Sequence, residues 1–284
     1  MTKQKSLSKE WKKAGTIFWY LVLAAITLLM LVPTLWGLCA SFKPEEEVLA
    51  EGIHFLPQDF TFENYIEVFT NRNNPVLRWF FNSLVIAVLN VGLYLFIASM
   101  AAFAFSRLKF KGRETMFLVC MMSMMIPGII NVIPNYVIIE KMGLLDNYLA
   151  MVLPGLGGVG SVFMIRQFMK GIPKEYDEAA KIDGASNWCI YTRIILPLCK
   201  PALITAGIFA FQGSWNDFLW PLIVTNSPET RTLTSGLYIM QGLYSHQYGK
   251  LLAGAMLSAL PVLIVFLFGQ KYLVEGIGVG GVKG

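Results

Sequence analysis

In a chain of 284 residues, 55% are hydrophobic, 14% are charged and the net charge is +5. The charged share lies well below the roughly 25% of soluble domains, and the mean hydropathy of +0.56 excludes an ordinary soluble enzyme in favour of a polytopic membrane protein. The positive balance needs no nucleic-acid partner, because such proteins gather Lys and Arg on their cytoplasmic loops. Cys39, Cys120, Cys189 and Cys199 lack CxxC spacing and disulfide-scaffold density. His54 and His246, the two histidines, have no HExxH around them, so no metal site is expected.

Residues 1–16 form a short N-terminal segment. Six apolar stretches of spanning length follow, at 17–40, 79–105, 115–139, 148–169, 202–225 and 251–273, and residues 274–284 remain as a tail. The fold class is therefore all-α, with six transmembrane helices in 17–273. The first stretch is longer than the h-region of a signal peptide and is read as a retained helix. With the N-terminus inside, only Lys43, Arg72, Arg78, Lys141, Arg231 and Lys250 of the 23 Lys and Arg fall outside, so both termini should be cytoplasmic. The loop after the first span, from Pro44 to Pro75, is acidic and has no insertable run. A solvated loop and a docking surface for an external partner both account for it.

Pro33, Pro127, Pro134, Pro154, Pro221 and Pro261 lie within the apolar stretches and should kink them. Around Pro154 the run Gly155-Leu156-Gly157-Gly158-Val159-Gly160 suits either close helix packing or a flexible pathway lining. Polar residues at membrane depth include Asn90 and Gln212, and the candidates for a pathway or a subunit interface are Asn82, Asn131, Asn135, Trp215, Asn216 and Asp217. Asp217, the lone carboxylate well inside a predicted span, must face protein or water. It is either a cavity-facing contact or, the preferred reading, an inter-subunit hydrogen-bond anchor. One carboxylate without a membrane histidine supports neither an aspartyl dyad nor a serine nucleophile with its base, so no catalytic residue is expected.

The loop 171–200 follows the fourth span. Pro173 suits a helix start, Glu175, Asp177 and Glu178 complement the N-terminal dipole, and a short helix should reach about Asp183. Gly184 permits a turn, Ser186 caps a second helix, and that helix should run from Trp188 to Leu196 until Pro197 interrupts it. Physics alone leaves a coupling wedge and an interfacial amphipathic helix equally good.

Glu178-Ala179-Ala180, three residues, Gly184, nine residues, then Ile194-Ile195-Leu196-Pro197 resembles the EAA loop, EAA-x3-G-x9-I-x-L-P, of permease subunits of binding-protein-dependent ABC importers. Ser41-Phe42-Lys43-Pro44, Trp215-Asn216-Asp217-Phe218-Leu219-Trp220-Pro221 and Gly280-Gly281-Val282-Lys283-Gly284 resemble the carbohydrate class, in particular its shorter, maltose-type (MalG-like) six-span permeases. The resemblance implies the type I ABC importer permease fold in a bacterial or archaeal plasma membrane. It also implies a second related permease, two cytoplasmic ABC ATPase subunits and an extracytoplasmic sugar-binding protein as partners, besides membrane lipid. Glu178, Ala179, Ala180, Asp183, Gly184, Ile194, Leu196 and Pro197 would couple to the ATPase, and Gly281, Val282, Lys283 and Gly284 would reach it through the tail.

No cofactor is expected on this chain, and ATP and Mg would be bound by the partner ATPase. Consistently, no G-x-x-x-x-G-K-[ST] loop occurs, since Gly249-Lys250 is followed by Leu251. A self-sufficient secondary transporter is the rival class, but neither an internal repeat nor a midplane ionisable pair supports it. The sugar is not legible.

Overall fold

The computed structural model describes residues 2–49, 54–243 and 247–278, and every regular element among them is helical. In chain order the α-helices are α1 (Thr2–Ala40), α2 (Glu45–Val48), α3 (Glu63–Thr70), α4 (Val76–Arg107), α5 (Arg113–Ser123), α6 (Val132–Lys141), α7 (Tyr148–Val152) and α8 (Val159–Gly171). They continue with α9 (Glu175–Ile182), α10 (Asn187–Cys189), α11 (Leu196–Leu198), α12 (Lys200–Asn216), α13 (Leu219–Val224), α14 (Leu233–Leu243) and α15 (Tyr248–Gly278). The chain forms two compact units, Met1–Thr70 with Tyr244–Leu257, and Asn71–Leu243 with Ser258–Gly284.

In the smaller unit α1 is apolar on every side from Gly15 onward, and none of its spanning window is buried within the chain. A helix of that kind is stable only with lipid or another helix around it. At its end the Asn64 amide, itself buried, donates to the Ser41 and Lys43 carbonyls at 3.0 and 2.8 Å. Ser41 and Tyr65 share a hydroxyl hydrogen bond of 2.8 Å, and Phe42 stacks on Phe60. The Ser41-Phe42-Lys43-Pro44 motif is thus a folded corner. Beyond it the Glu45 carboxylate accepts from the Tyr248 and Gly249 backbone N–H groups, placing negative charge at the N-terminus of α15, where the helix dipole favours it.

In the larger unit α4 is the central helix and packs on both α8 and α12. Its small buried residues, Ala87, Ala98, Ser99 and Ala102, let neighbouring helices approach closely. Two apolar cores result among the described residues. One gathers Ala98, Phe103, Ile165, Met169, Ile190, Tyr191 and Ile195; the other gathers Ile86, Ile139, Met151, Val152 and Val224.

Among the described residues three helices, Gly15–Ala40, Val76–Arg107 and Tyr248–Leu273, are long and apolar enough to cross a membrane, and up to six spans result if bent pairs count as one each. The first, second and sixth predicted spans are therefore continuous, and Pro33 and Pro261 lie inside unbroken helices. The third bends by 91° between α5 and the helical stretch Gly128–Lys141, and the fourth bends by 49° between Tyr148–Gly157 and α8. Pro127 sits at the first of these breaks, where its missing N–H ends a hydrogen-bond ladder, whereas the second falls at Gly158 and Pro154 lies at the start of the 3-10 turn before it.

The fifth expected span is corrected as well. α12 stops at Asn216, Asp217 is extended (φ −68°, ψ 122°), and α13 restarts the helix at Leu219. Pro221 lies inside α13, so the break is made at Asp217 rather than at the proline.

Candidate functional site

On the 171–200 loop, α9 ends with Asp183 and Gly184, the latter at φ +81°. That left-handed conformation suits glycine. Ser186 Oγ accepts from the Cys189 N–H at 3.2 Å, capping α10 as its sequence suggests. Pro173 lies ahead of α9, with Lys174 as the N-cap. The second helix does not stop at Pro197: Ile190–Ile195 is a π-helix, α11 passes through Pro197, and the 79° bend follows between Leu198 and Lys200. A proline cannot donate to the carbonyl one turn back and crowds it, and a wider π-turn relieves that conflict.

Of the two EAA alanines, Ala180 faces inward, 9% exposed in the core with Ile190 and Ile195, while Glu178, Ala179, Asp183 and Gly184 face outward. Ile194 and Leu196 are half-buried against the same core, and Pro197 is exposed. The outer face also carries Ile182, 87% exposed, and Tyr176 and Trp188, each more than half exposed.

The inner face is fixed by charge. Arg107, the last residue of α4, donates to the carbonyls of Met169 and Ile172 at the end of α8 and pairs with the Asp177 carboxylate of α9 at 3.0 Å. Both side chains are nearly buried. Beside this cluster Arg166 pairs with Glu114 at 2.6 Å, donates to the Phe105 carbonyl and lies over the Phe117 ring. The Arg166 hydrogen bond holds the Glu114 carboxyl below its usual range.

A cavity of about 430 Å³ lies at membrane depth among α4, α6, α12, α13 and the 153–157 turn. Of the pathway candidates, Asn135 and Asp217 line it, as does Asn90; Tyr94, Ser214 and Trp220 join them. Asn90 is 8% exposed and its side chain makes no hydrogen bond among the described residues. Asp217 accepts from the Trp220 N–H at 3.3 Å, and the Trp220 indole donates to the Ala150 carbonyl at 2.8 Å.

Gly155 and Gly158 belong to close packing: a side chain at the former would meet the Asn90 amide at 2.9 Å, and one at the latter would strike the Tyr94 ring. Tyr94, Ser214 and Trp220 are polar or amphipathic residues whose position depends on how broken helices converge, so sequence spacing did not mark them as lining residues.

The other membrane-depth candidates lie elsewhere. The Asn82 amide donates to the carbonyls of Glu229 and Arg231, both at 2.8 Å, and accepts from the Tyr148 hydroxyl at 2.6 Å. Trp215 is buried between Phe80 and Phe211 and donates to the Ser258 carbonyl. Both are committed to internal structure, whereas Asn131 and Asn216 are exposed. Gly281, Val282, Lys283 and Gly284 lie outside the described residues.

Near the other end of the unit, Asp146 (φ +59°) accepts from the backbone N–H groups of Asn226 and Ser227 and from the hydroxyls of Ser227 and Thr230. Burial raises its pKa, but the Ser227 and Thr230 hydroxyls and the two backbone donors outweigh it and hold the carboxyl at about 2. This clasp joins the α6–α7 turn to the segment after α13.

Residues 68–277 match the family described as binding-protein-dependent transport system inner membrane component. The chain is 37% identical over 277 residues to the arabinooligosaccharides transport system permease protein AraQ of Halalkalibacterium halodurans, covering 96% of this chain and 99% of that one. It is 31% identical to the lactose transport system permease protein LacG of Rhizobium radiobacter, covering 96% and 98%. In fold it matches a subunit of a bacterial ABC transporter that imports the acidic polysaccharide alginate, with a TM-score of 0.80 and 24% identity over 92% of this chain and 96% of that one. A match over most of its length, together with these relatives, establishes that the chain belongs to the inner-membrane permease components of binding-protein-dependent sugar transport systems.

Proposed function

We propose that this chain forms half of the translocation pathway of an ATP-driven sugar importer and receives the motion of a cytoplasmic ATPase through the 171–200 loop. The observation that carries the reading is the outer face of α9. Ile182 is 87% exposed, next to exposed Glu178, Ala179 and Asp183, on a helix whose inner face is fixed through Arg107 to the ends of α4 and α8. An apolar side chain held so rigidly in the open is suited to a protein socket, with charges around it setting register.

The partners are a second related permease, two ATPase subunits that bind ATP and Mg, and an external sugar-binding protein. Both termini face the cytoplasm, and the tail Gly281–Gly284 contacts the ATPase. AraQ and LacG are named for arabino-oligosaccharides and lactose, which supports a saccharide as cargo.

The test is purification of the chain in mild detergent from its native cell, followed by an ATPase assay. Recovery of an ATPase and a second permease is expected, and Ile182→Glu should remove the ATPase while the second permease stays. Gly184→Val forces a β-branched residue into left-handed backbone, costing roughly 1–2 kcal/mol, and should lower sugar transport at least tenfold with assembly retained. Repeated recovery of the chain alone, active in ion-driven uptake after reconstitution, would overturn the reading.

A further inference from the structure

The membrane-depth cavity holds polar groups that the fold itself does not use. Asn90 is more than nine-tenths buried, and the side chains of Asn90, Asn135 and Ser214 make no hydrogen bond among the described residues. Asn90 is buried as a residue while its amide reaches the cavity surface, so water or cargo that enters there can meet it. The about 430 Å³ volume falls within the roughly 300–1,000 Å³ of small-molecule sites.

The lining chemistry is specific. Two amides and a hydroxyl supply both donors and acceptors, and the Asp217 carboxyl group accepts. Trp220, its indole anchored to the Ala150 carbonyl, and Tyr94, its hydroxyl donating to Ser161 Oγ at 2.7 Å, bring aromatic surface to the same wall. Mixed donors and acceptors beside aromatic rings fit a saccharide, which offers hydroxyls at its edges and C–H groups on its faces. Among the described residues that line the cavity there is no Lys, Arg or His. A uronate would therefore meet a carboxyl group and find no cation to balance its charge in a site of low dielectric.

We propose that this chain carries its own sugar subsite, in which the cavity takes one glycosyl ring of a neutral saccharide between Asn90, Asn135 and Asp217 and rejects acidic sugars. The subsite rests on the importer reading and extends it, because a pathway half could also be a passive wall. It also sets this chain apart from its fold relative, whose named cargo, alginate, is acidic.

The experiment is equilibrium dialysis of the purified complex, free of binding protein, against four labelled probes: lactose, galactotriose, arabinotriose and a trimeric uronate. At least one neutral probe should be retained and the uronate should not be. Asn90→Leu and Asn135→Ala should each weaken retention of the neutral probe about fivefold to tenfold, the range expected for a lost hydrogen bond. Asp217→Asn is the isosteric second variant should Asn90→Leu fail to assemble, and it too should weaken the neutral probe. Retention of the uronate as strongly as a neutral probe, no retention of any neutral probe, or retention indifferent to all three variants would each overturn the subsite. A complex that hydrolyses ATP and imports sugar under any of those outcomes keeps the importer reading, whereas absence of the ATPase and second permease defeats that reading instead.

Discussion

Within the larger unit, the cluster where α4, α8 and α9 meet and the cavity among α4, α6 and α12 handle polar side chains differently. Arg107, Asp177, Arg166 and Glu114 are engaged with one another or with helix-end carbonyls, although Arg107 Nε and Asp177 Oδ1 stay unpartnered, while the side chains of Asn90, Asn135 and Ser214 make no hydrogen bond among the described residues. Groups that bond each other fix geometry, and groups left without partners are available to something that arrives. The proposed coupling loop is thus tied down through charged groups, while the cavity wall keeps polar side chains free.

Breaking the rigid side should have the largest effect. Arg107→Met leaves Asp177 and two carbonyls unpaired in a nearly dry site, at a cost of roughly 3–5 kcal/mol. Thermal unfolding in detergent should show it, and proteolysis between residues 174 and 187 should accelerate. Arg107→Met with Asp177→Leu should recover most of that loss, since no lone charge remains. Next comes Asn82→Leu, which strands the Glu229 and Arg231 carbonyls and the Tyr148 hydroxyl; roughly 1–3 kcal/mol is expected, with faster hydrogen exchange in 229–232.

The Asp146 clasp gives a smaller, pH-dependent effect. Its carboxyl is depressed from 3.8 to about 2, so its contribution is present above the unfolded value and lost as pH falls through the folded one. Exchange protection of residues 226–230 should be flat from pH 8 to about 4 and fall only towards pH 2. Asp146→Asn should weaken protection throughout and remove that dependence. The smallest effect on stability belongs to Asn135→Ala, within about 0.5 kcal/mol, although it should weaken sugar retention. A large stability loss there would blur the distinction between the two regions.

Much of the architecture was legible because spanning length and hydropathy are properties of a whole window. Turn chemistry was legible too at Gly184 and Ser186, where one residue type serves one backbone geometry. The breaks in the third, fourth and fifth spans were harder, because six prolines looked equivalent while Pro33 and Pro261 are absorbed into continuous helices. Asn82 and Trp215 look like Asn135 and Asp217 in sequence, and only tertiary contacts reveal that their hydrogen bonds are already used. Arg107 was counted as a topological charge. Its partners at 169, 172 and 177 are brought to it by the packing of α4 against α8, which no local pattern encodes.

The π-helix at Ile190–Ile195 has a consequence for chain length. A π-turn is an α-helical turn carrying one extra residue, so deleting one residue there would restore ordinary winding and leave the downstream helix facing as it does now. The same deletion inside α12, where no extra residue is stored, would rotate everything after it by about 100°. A one-residue deletion among these six positions should therefore be borne far better than one in the regular helix that follows.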